Sequence, residues 1–317
     1  MRGPNNILRV DVSNSEDSGN TGVNQSLTSF NSDGFSAGQD DDIGCINYAD
    51  KTYVAWGWKA GGAPSGTLAG SGATASLTNG VGNGTIHNSA TGVSNATSIT
   101  QSVNQNSGFS ITKFTGHASG VTLPHNLGGT PDFIIMKSLG TGMWTVWHSG
   151  MSNSTESYLR LDTDLAETTY SDVWPTAPST TLIYSGTDDS NGGTASNNHI
   201  MYAWKAVSGV SAFGTYTGGT SISKTTNFEP KLIIIKNISS VEDWVMLDAF
   251  RGFKSTSLPN PPALFPSDPT SEITGSASNY YHITTSSSGF TVGDAGDVPN
   301  GINDGSSSTN YIYMAFA

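Results

Sequence analysis

Tyr53-Val54-Ala55-Trp56-Gly57-Trp58-Lys59, His199-Ile200-Met201-Tyr202-Ala203-Trp204-Lys205 and Tyr311-Ile312-Tyr313-Met314-Ala315-Phe316-Ala317 are three versions of one pattern. Alternate residues share a face in each: Val54/Trp56/Trp58, Ile200/Tyr202/Trp204 and Ile312/Met314/Phe316. A period of two is that of a β-strand laid on a core by one side. Further matches extend outward from these segments. Ser110-Ile111-Thr112-Lys113-Phe114-Thr115-Gly116 returns 102 residues later as Ala212-Phe213-Gly214-Thr215-Tyr216-Thr217-Gly218. Pro131-Asp132-Phe133-Ile134-Ile135-Met136-Lys137 returns after 99 as Pro230-Lys231-Leu232-Ile233-Ile234-Ile235-Lys236, and Trp144-Thr145-Val146-Trp147 after 100 as Trp244-Val245-Met246-Leu247. Self-similarity at a fixed offset marks duplicated units, here of about a hundred residues.

Within a unit, the apolar run after the proline is short and rich in β-branched or aromatic side chains. That suits a strand buried on both faces, with the proline at its start, where a missing N–H costs least. Turn-rich Gly140-Thr141-Gly142 and Ser239-Ser240-Val241-Glu242-Asp243 then lead to the tryptophan segments, the signature of a hairpin. No window sustains helical apolar spacing. The expected fold is all-β: serial β-sandwich units of jelly-roll or lectin-like type, joined by a Gly/Ser/Thr-rich connector.

Four stretches follow: an incomplete first unit over 1–60, a connector over 61–107, a second unit over 108–207 and a third over 208–317. The first is incomplete because Ile7-Leu8-Arg9-Val10-Asp11 resembles Tyr158-Leu159-Arg160-Leu161-Asp162, which lies 151 residues on, in the middle of the second unit. Residues 1–60 should then carry the second half of a fold, with its open edges covered by a neighbouring chain or an upstream piece. The connector has His87 as its one titratable side chain and reads as a linker ordered by a partner surface.

Gly 38, Ser 45, Thr 37 and Asn 25 supply 46% of the 317 residues, but Trp 7, Tyr 11 and Phe 12 supply enough large rings to anchor a core. A net charge of −12 argues against nucleic acid, whose phosphates require clustered Lys and Arg. No apolar run is long enough to insert in a membrane. A single cysteine, Cys45, reads as a small buried residue and can form neither an internal disulfide nor a multi-thiolate metal site.

The sequence lacks G-x-S-x-G, P-loop, H-E-x-x-H and C-x-x-C patterns, so no catalytic residue is assigned and the protein is expected not to be an enzyme. Acidic spots occur at Asp40-Asp41-Asp42, at Asp162 and Asp164 with Glu167, at Asp188-Asp189, and at Asp294 with Asp297. They read as solvated turn residues; calcium is the one cofactor such alternating acids could hold. Six histidines (His87, His117, His125, His148, His199 and His282) show no ligand spacing. Trp56, Trp58, Trp144, Trp204 and Trp244 sit at repeated strand positions and are read as core. Trp174, in the unrepeated stretch Tyr170-Ser171-Asp172-Val173-Trp174-Pro175-Thr176, is the candidate for a glycan or surface contact.

Several of these motifs together resemble repeat domains in large virion proteins of marine phages. They are Gly108-Phe109-Ser110-Ile111, Leu123-Pro124-His125-Asn126-Leu127-Gly128 with Pro131 to Lys137, Trp144 to His148, Ser29-Phe30-Asn31-Ser32-Asp33-Gly34-Phe35-Ser36, and Tyr53 to Gly62. The resemblance implies a tail-fibre-like or otherwise structural protein with lectin-like sandwiches and no established catalytic residues. The third unit departs from it, with Ser257-Leu258-Pro259-Asn260-Pro261-Pro262 in place of the Leu-Arg strand. The expected function is a non-enzymatic phage structural protein, a fibre, spike or surface decoration on the virion. Its partners would be copies of itself, other virion proteins and host surface polysaccharide. The alternatives are a cellular adhesin or filament subunit assembled by strand complementation and, further off, a glycan depolymerase.

Overall fold

A computed structural model describes residues 3–4, 6–17, 27–38, 46–71, 75–252, 261–273, 282–293 and 301–317. The first unit contributes a hairpin, β1 (Leu27–Phe30) and β2 (Phe35–Ala37). β3 (Thr67–Ala69), β4 (Val81–Ile86) and β5 (Thr97–Asn104) follow. The second unit comprises β6 (Phe109–Thr115), β7 (Val121–Pro124), β8 (Phe133–Ser138), β9 (Trp144–His148), β10 (Ser157–Arg160), β11 (Thr168–Thr169), β12 (Leu182–Ser185) and β13 (Asn198–Trp204). In the third are β14 (Ser211–Thr217), β15 (Ser221–Thr225), β16 (Leu232–Asn237), β17 (Val245–Asp248), β18 (Ile283–Ser286), β19 (Gly289–Gly293) and β20 (Asn310–Phe316). The chain is all-β, with one 3-10 turn among the described residues, at Asp189–Asn191.

The two larger units share a strand order. In the second, β9-β8-β13-β6 run side by side, and in the third β17-β16-β20-β14 do the same. A small second sheet faces each: β12-β7 in one and β15-β19-β18 in the other. The expected hairpins β8–β9 and β16–β17 form, and every residue of β8 and β16 is buried. Both faces of these strands are covered because each sheet has two neighbours. Ile233, Ile235, Tyr311 and Tyr313 face the inside of the third sandwich with Phe290 and Val292. Their alternates Ile234, Ile312, Met314 and Phe316 turn the other way and join the core of the second unit, against Phe109, Phe133, Ile135 and Trp204.

The stretch 61–107 is not a connector. β5 pairs with β6, β4 with β5, and β3 with β4, so these strands extend the main sheet of the second unit to nine. Leu68, Ile86, Ile99 and Val103 carry the burial, each at 2% exposure or less. The composition is that of a linker, yet four apolar residues on one face plus an edge strand to pair with are enough to order it. Gly108 closes the β5–β6 hairpin at φ +62, where an added Cβ would lie 2.1 Å from the Lys205 carbonyl oxygen.

Of the three copies of the opening pattern, two are strands, β13 and β20, each paired on both sides. The third, 53–59, carries no ladder. Its sequence fits a central strand, but among the described residues no strand pairs with it. Val54 and Trp56 still turn inward, and Trp58 lies with its ring centroid 5.8 Å from Trp204 and 5.4 Å from Phe316, its own counterparts in the other units.

Successive units are docked by a repeated segment. Residues 7–17, 158–168 and 263–273 align without a gap, with Leu8/Leu159/Leu264 and Glu16/Glu167/Glu272 in register. Each closes on itself by the same bridge: Ile7 with Asp17, Tyr158 with Thr168, and Ala263 with Ile273. The Leu-Arg strand of the third unit is therefore replaced by 263–265, where Leu264 bridges to Met246, rather than by the preceding prolines. Segment 7–17 docks on the second unit: Trp144 Nε1 donates to the Arg9 carbonyl (2.9 Å), Gly142 N to Ser13 O (2.8 Å) and Glu16 N to Leu139 O (2.9 Å). Segment 158–168 docks identically on the third, through Trp244 Nε1 to Arg160 O (2.8 Å), Glu242 N to Asp164 O (2.9 Å) and Glu167 N to Ile238 O (3.0 Å).

Buried lysines end both central strands, at Lys137 and Lys236. Lys236 Nζ donates to the carbonyls of Asn237 (2.9 Å), Glu242 (2.6 Å) and, across the junction, Asp164 (3.0 Å). Burial lowers its pKa to about 8, against the nearby charges of Asp164, Glu242 and Asp243, which act to raise it. Lys236→Met removes all three bonds and leaves buried carbonyls unanswered, an expected loss of about 2 kcal/mol. Urea unfolding checks it, and an unchanged midpoint would refute the junction role.

Candidate functional site

The unrepeated stretch after β11 begins as a turn in which Tyr170 N donates to Glu156 O and Val173 N to Tyr170 O. Trp174, expected at the surface, is instead fully buried, at 0% exposure, with Val173 beside it in the core. Gly186 N and the Asn191 side-chain amide both bond the Val173 carbonyl, and this pins the turn so that the indole points between the sheets. Lack of repetition marked an irregular segment, not an exposed one. The indole Nε1 has no hydrogen-bond partner among the described residues, and the ring packs in the apolar core.

The same turn presents a different aromatic residue. Tyr170 is 50% exposed, and its hydroxyl faces the Asp172 carboxylate. That hydrogen-bonding contact, and then the carboxylate charge, hold the phenol above its ordinary pKa. Asp172 is tied in turn to Asp188, whose backbone N–H donates to the Asp172 carbonyl at 3.0 Å. The Asp188 carboxylate lies 3.6 Å from Arg160 Nη2 and also caps the 3-10 turn by accepting from Ser190 N. Arg160 is largely buried in β10, with its guanidinium 4.7 Å over the ring of Tyr158 and bonded to the Thr145 hydroxyl. An exposed phenol, two carboxylates and a buried guanidinium thus meet at the outer edge of the main sheet. Ring faces that stack on C–H groups beside carboxylates that accept from hydroxyls are the elements of a sugar contact. The sequence signal for this residue is the Tyr170-Ser171-Asp172 triplet, an aromatic ring and a carboxylate two positions apart in the same unrepeated turn.

Three of the other acidic candidates have structural side-chain partners, and Asp164 is held through its backbone carbonyl. Asp162 Oδ1 accepts from Trp144 N at 3.1 Å, and burial raises its pKa. Glu167 accepts from Ser152 N, and Asp189 from the Thr194 hydroxyl. Among the described residues no three His, Cys, Asp or Glu side chains converge as metal ligands. Asp40, Asp41, Asp42, Asp294, Asp297 and Cys45 lie outside the described residues.

Four histidines share one local role. The Nδ1 atoms of His87, His117, His125 and His148 accept from the backbone N–H two residues on, at Ser89, Ser119, Leu127 and Gly150. Each imidazole closes a turn as an Asx side chain would. At His148 the other nitrogen reaches the Tyr313 carbonyl at 3.3 Å, and at His125 it reaches Ser179 O at 3.3 Å.

Comparison with known families adds one finding. A family model described as a domain of unknown function, DUF7483, matches residues 1–99 and 83–317. The chain belongs to the DUF7483 family. The two matches overlap within β4 and β5, so in this DUF7483 chain both take in part of the stretch read from composition as a connector. No curated protein and no solved structure matches it.

Proposed function

We propose that the chain is a non-enzymatic structural protein of a phage virion, a fibre, spike or surface decoration, and that it contacts host surface glycans. The observation that supports the structural part is the shared core: equivalent apolar faces of successive units pack on one another, so the units form a stiff body instead of beads on a string. Stiffness suits a part that must hold a contact site away from a particle. The glycan contact is assigned to Tyr170 with Asp172 and Asp188 as hydrogen-bonding groups. A single such site is weak, and affinity would come from several copies held together.

Binding of the chain to a panel of bacterial surface polysaccharides tests this reading. Tyr170→Ala is expected to weaken any glycan binding by about tenfold or more. Its thermal midpoint should stay put, because an exposed ring contributes within about 0.5 kcal/mol to stability. Equal binding by the variant would remove Tyr170 from the site, and sugar release during incubation would turn the reading toward an enzyme.

A further inference from the structure

The two interior junctions define what a docking segment receives. In each, the carbonyl of the seventh residue (Ser13, Asp164) accepts from the turn of a β8–β9-type hairpin, and the amide of the tenth (Glu16, Glu167) donates back to the end of its first strand. The third copy, 263–273, has the same bridge and the same alignment, and its corresponding groups are the Pro269 carbonyl and the Glu272 amide. Both belong to exposed residues, and neither has a hydrogen-bond partner among the described residues.

A second vacancy lies beside it. The backbone N–H and C=O groups of 52–58 make no hydrogen bond among the described residues, whereas in β13 and β20 the same positions are laddered on both sides. The two features adjoin. The Arg251 guanidinium bonds the Glu272 carboxylate at 3.1 Å and sits 5.8 Å from the centroid of the Trp56 ring. Between them opens an apolar cavity of about 500 Å³, lined by Leu8, Trp56 and Trp58 from the first unit, Trp144 from the second, and Met246 and Pro266 from the third. A strand of β8 type paired to 52–58 would place its apolar face there, as Phe133 and Ile135 are placed beside Trp204 and Tyr202.

We propose that 52–58 and 263–273 together form the docking groove for a strand–turn–strand of the β8–β9 pattern, an apolar run ending in lysine, a turn and a tryptophan strand, donated by a partner polypeptide of the same family. Main-chain pairing along a bare strand supplies affinity, and the apolar cavity supplies selectivity for alternate side chains. The lysine and tryptophan would use the third docking segment as Lys236 and Trp244 use the second. This groove is independent of the glycan contact at Tyr170, and neither reading depends on the other.

A synthetic peptide spanning 131–148 is the probe, added to the full chain and followed by amide hydrogen exchange. Saturable binding is expected, with exchange at 53–58 and at Glu272 slowed by at least about tenfold. A peptide carrying Lys137→Met and Trp144→Ala should not protect these amides. No binding, or protection elsewhere, overturns the proposal. Protection of 53–58 in the chain alone, with dimers in sedimentation, would overturn it, because in a second copy β8 is already paired with β9 and β13 and cannot be donated. A covalent form removes any dependence on peptide affinity: a second copy of 108–151 placed directly ahead of Met1 continues the 151-residue register without a linker. The chimera is expected to show the same protection, and a folded chimera with 53–58 still exchanging freely overturns the assignment.

Discussion

Trp244→Ala should lower the unfolding free energy by about 3–5 kcal/mol, the range for emptying a fully buried large aromatic site. The ring is fully buried and belongs to the core shared by the second and third units. Its indole N–H also answers the Arg160 carbonyl across the junction, so the variant opens a cavity and removes a bond at the same place. Trp144 occupies the same position one unit earlier, but it is 6% exposed and borders the open apolar cavity. Trp144→Ala should therefore cost less. Chemical denaturation of both variants decides the matter: a Trp244 variant no weaker than the Trp144 variant would mean that the second junction is not where the units are joined. A change in the steepness of the transition, and not only its midpoint, would show the two units unfolding separately.

Most of the scaffold was legible because strand burial leaves a period-two record. The segments at 199–205 and 311–317 read as strands from that record, the runs ending at Lys137 and Lys236 read as strands from their short β-branched apolar stretch after a proline, and the hairpins followed from the turns between them. What could not be read depended on partners distant in sequence. The pattern at 53–59 is as strand-like as its copies, but a ladder needs flanking strands, and none among the described residues pairs with it. Residues 61–107 show the converse: few apolar residues and much Gly, Ser and Thr, ordered because the edge of β6 was available to β5. Burial of Trp174 was equally hidden, since a turn can point an aromatic ring inward or outward with the same local sequence. The docking segments lay between these cases. Two of the three were visible as Leu-Arg matches, while the third, with Phe265 and Pro266 where the others carry Arg and Leu or Val, could be aligned only through its bridge to Ile273.

Acid should destabilise the protein as its buried histidines titrate, from pH 6.5 down to about 4. His148 is fully buried and bonded at both nitrogens, accepting from Gly150 N and meeting the Tyr313 carbonyl, an arrangement that suits the neutral ring. Burial pushes its pKa down to about 4, only partly offset by the bond to Tyr313. His125 is likewise lowered to about 4 by burial, against the bond to Ser179 and with a smaller push from Lys205, and His199 is lowered for the same first reason. These are bases whose folded pKa lies below the unfolded value, so between pH 6.5 and 4 the unfolded chain binds more protons. Stability is complete above that window and declines as pH falls through it, by up to about 3 kcal/mol for each of His125 and His148. Burial raises the pKa values of Asp162 and Glu242, and protonating those carboxyls opposes the decline. Thermal midpoints recorded from pH 7.5 down to pH 4.5 should fall, and His148→Gln, which can still accept and donate, should flatten the profile while losing some stability at neutral pH. A midpoint that holds level from pH 7 to pH 5 would mean that these imidazoles are reached by water in the folded state. Where the midpoint falls, unfolding should begin where the second and third units meet, because His148 bonds the Tyr313 carbonyl of the third unit.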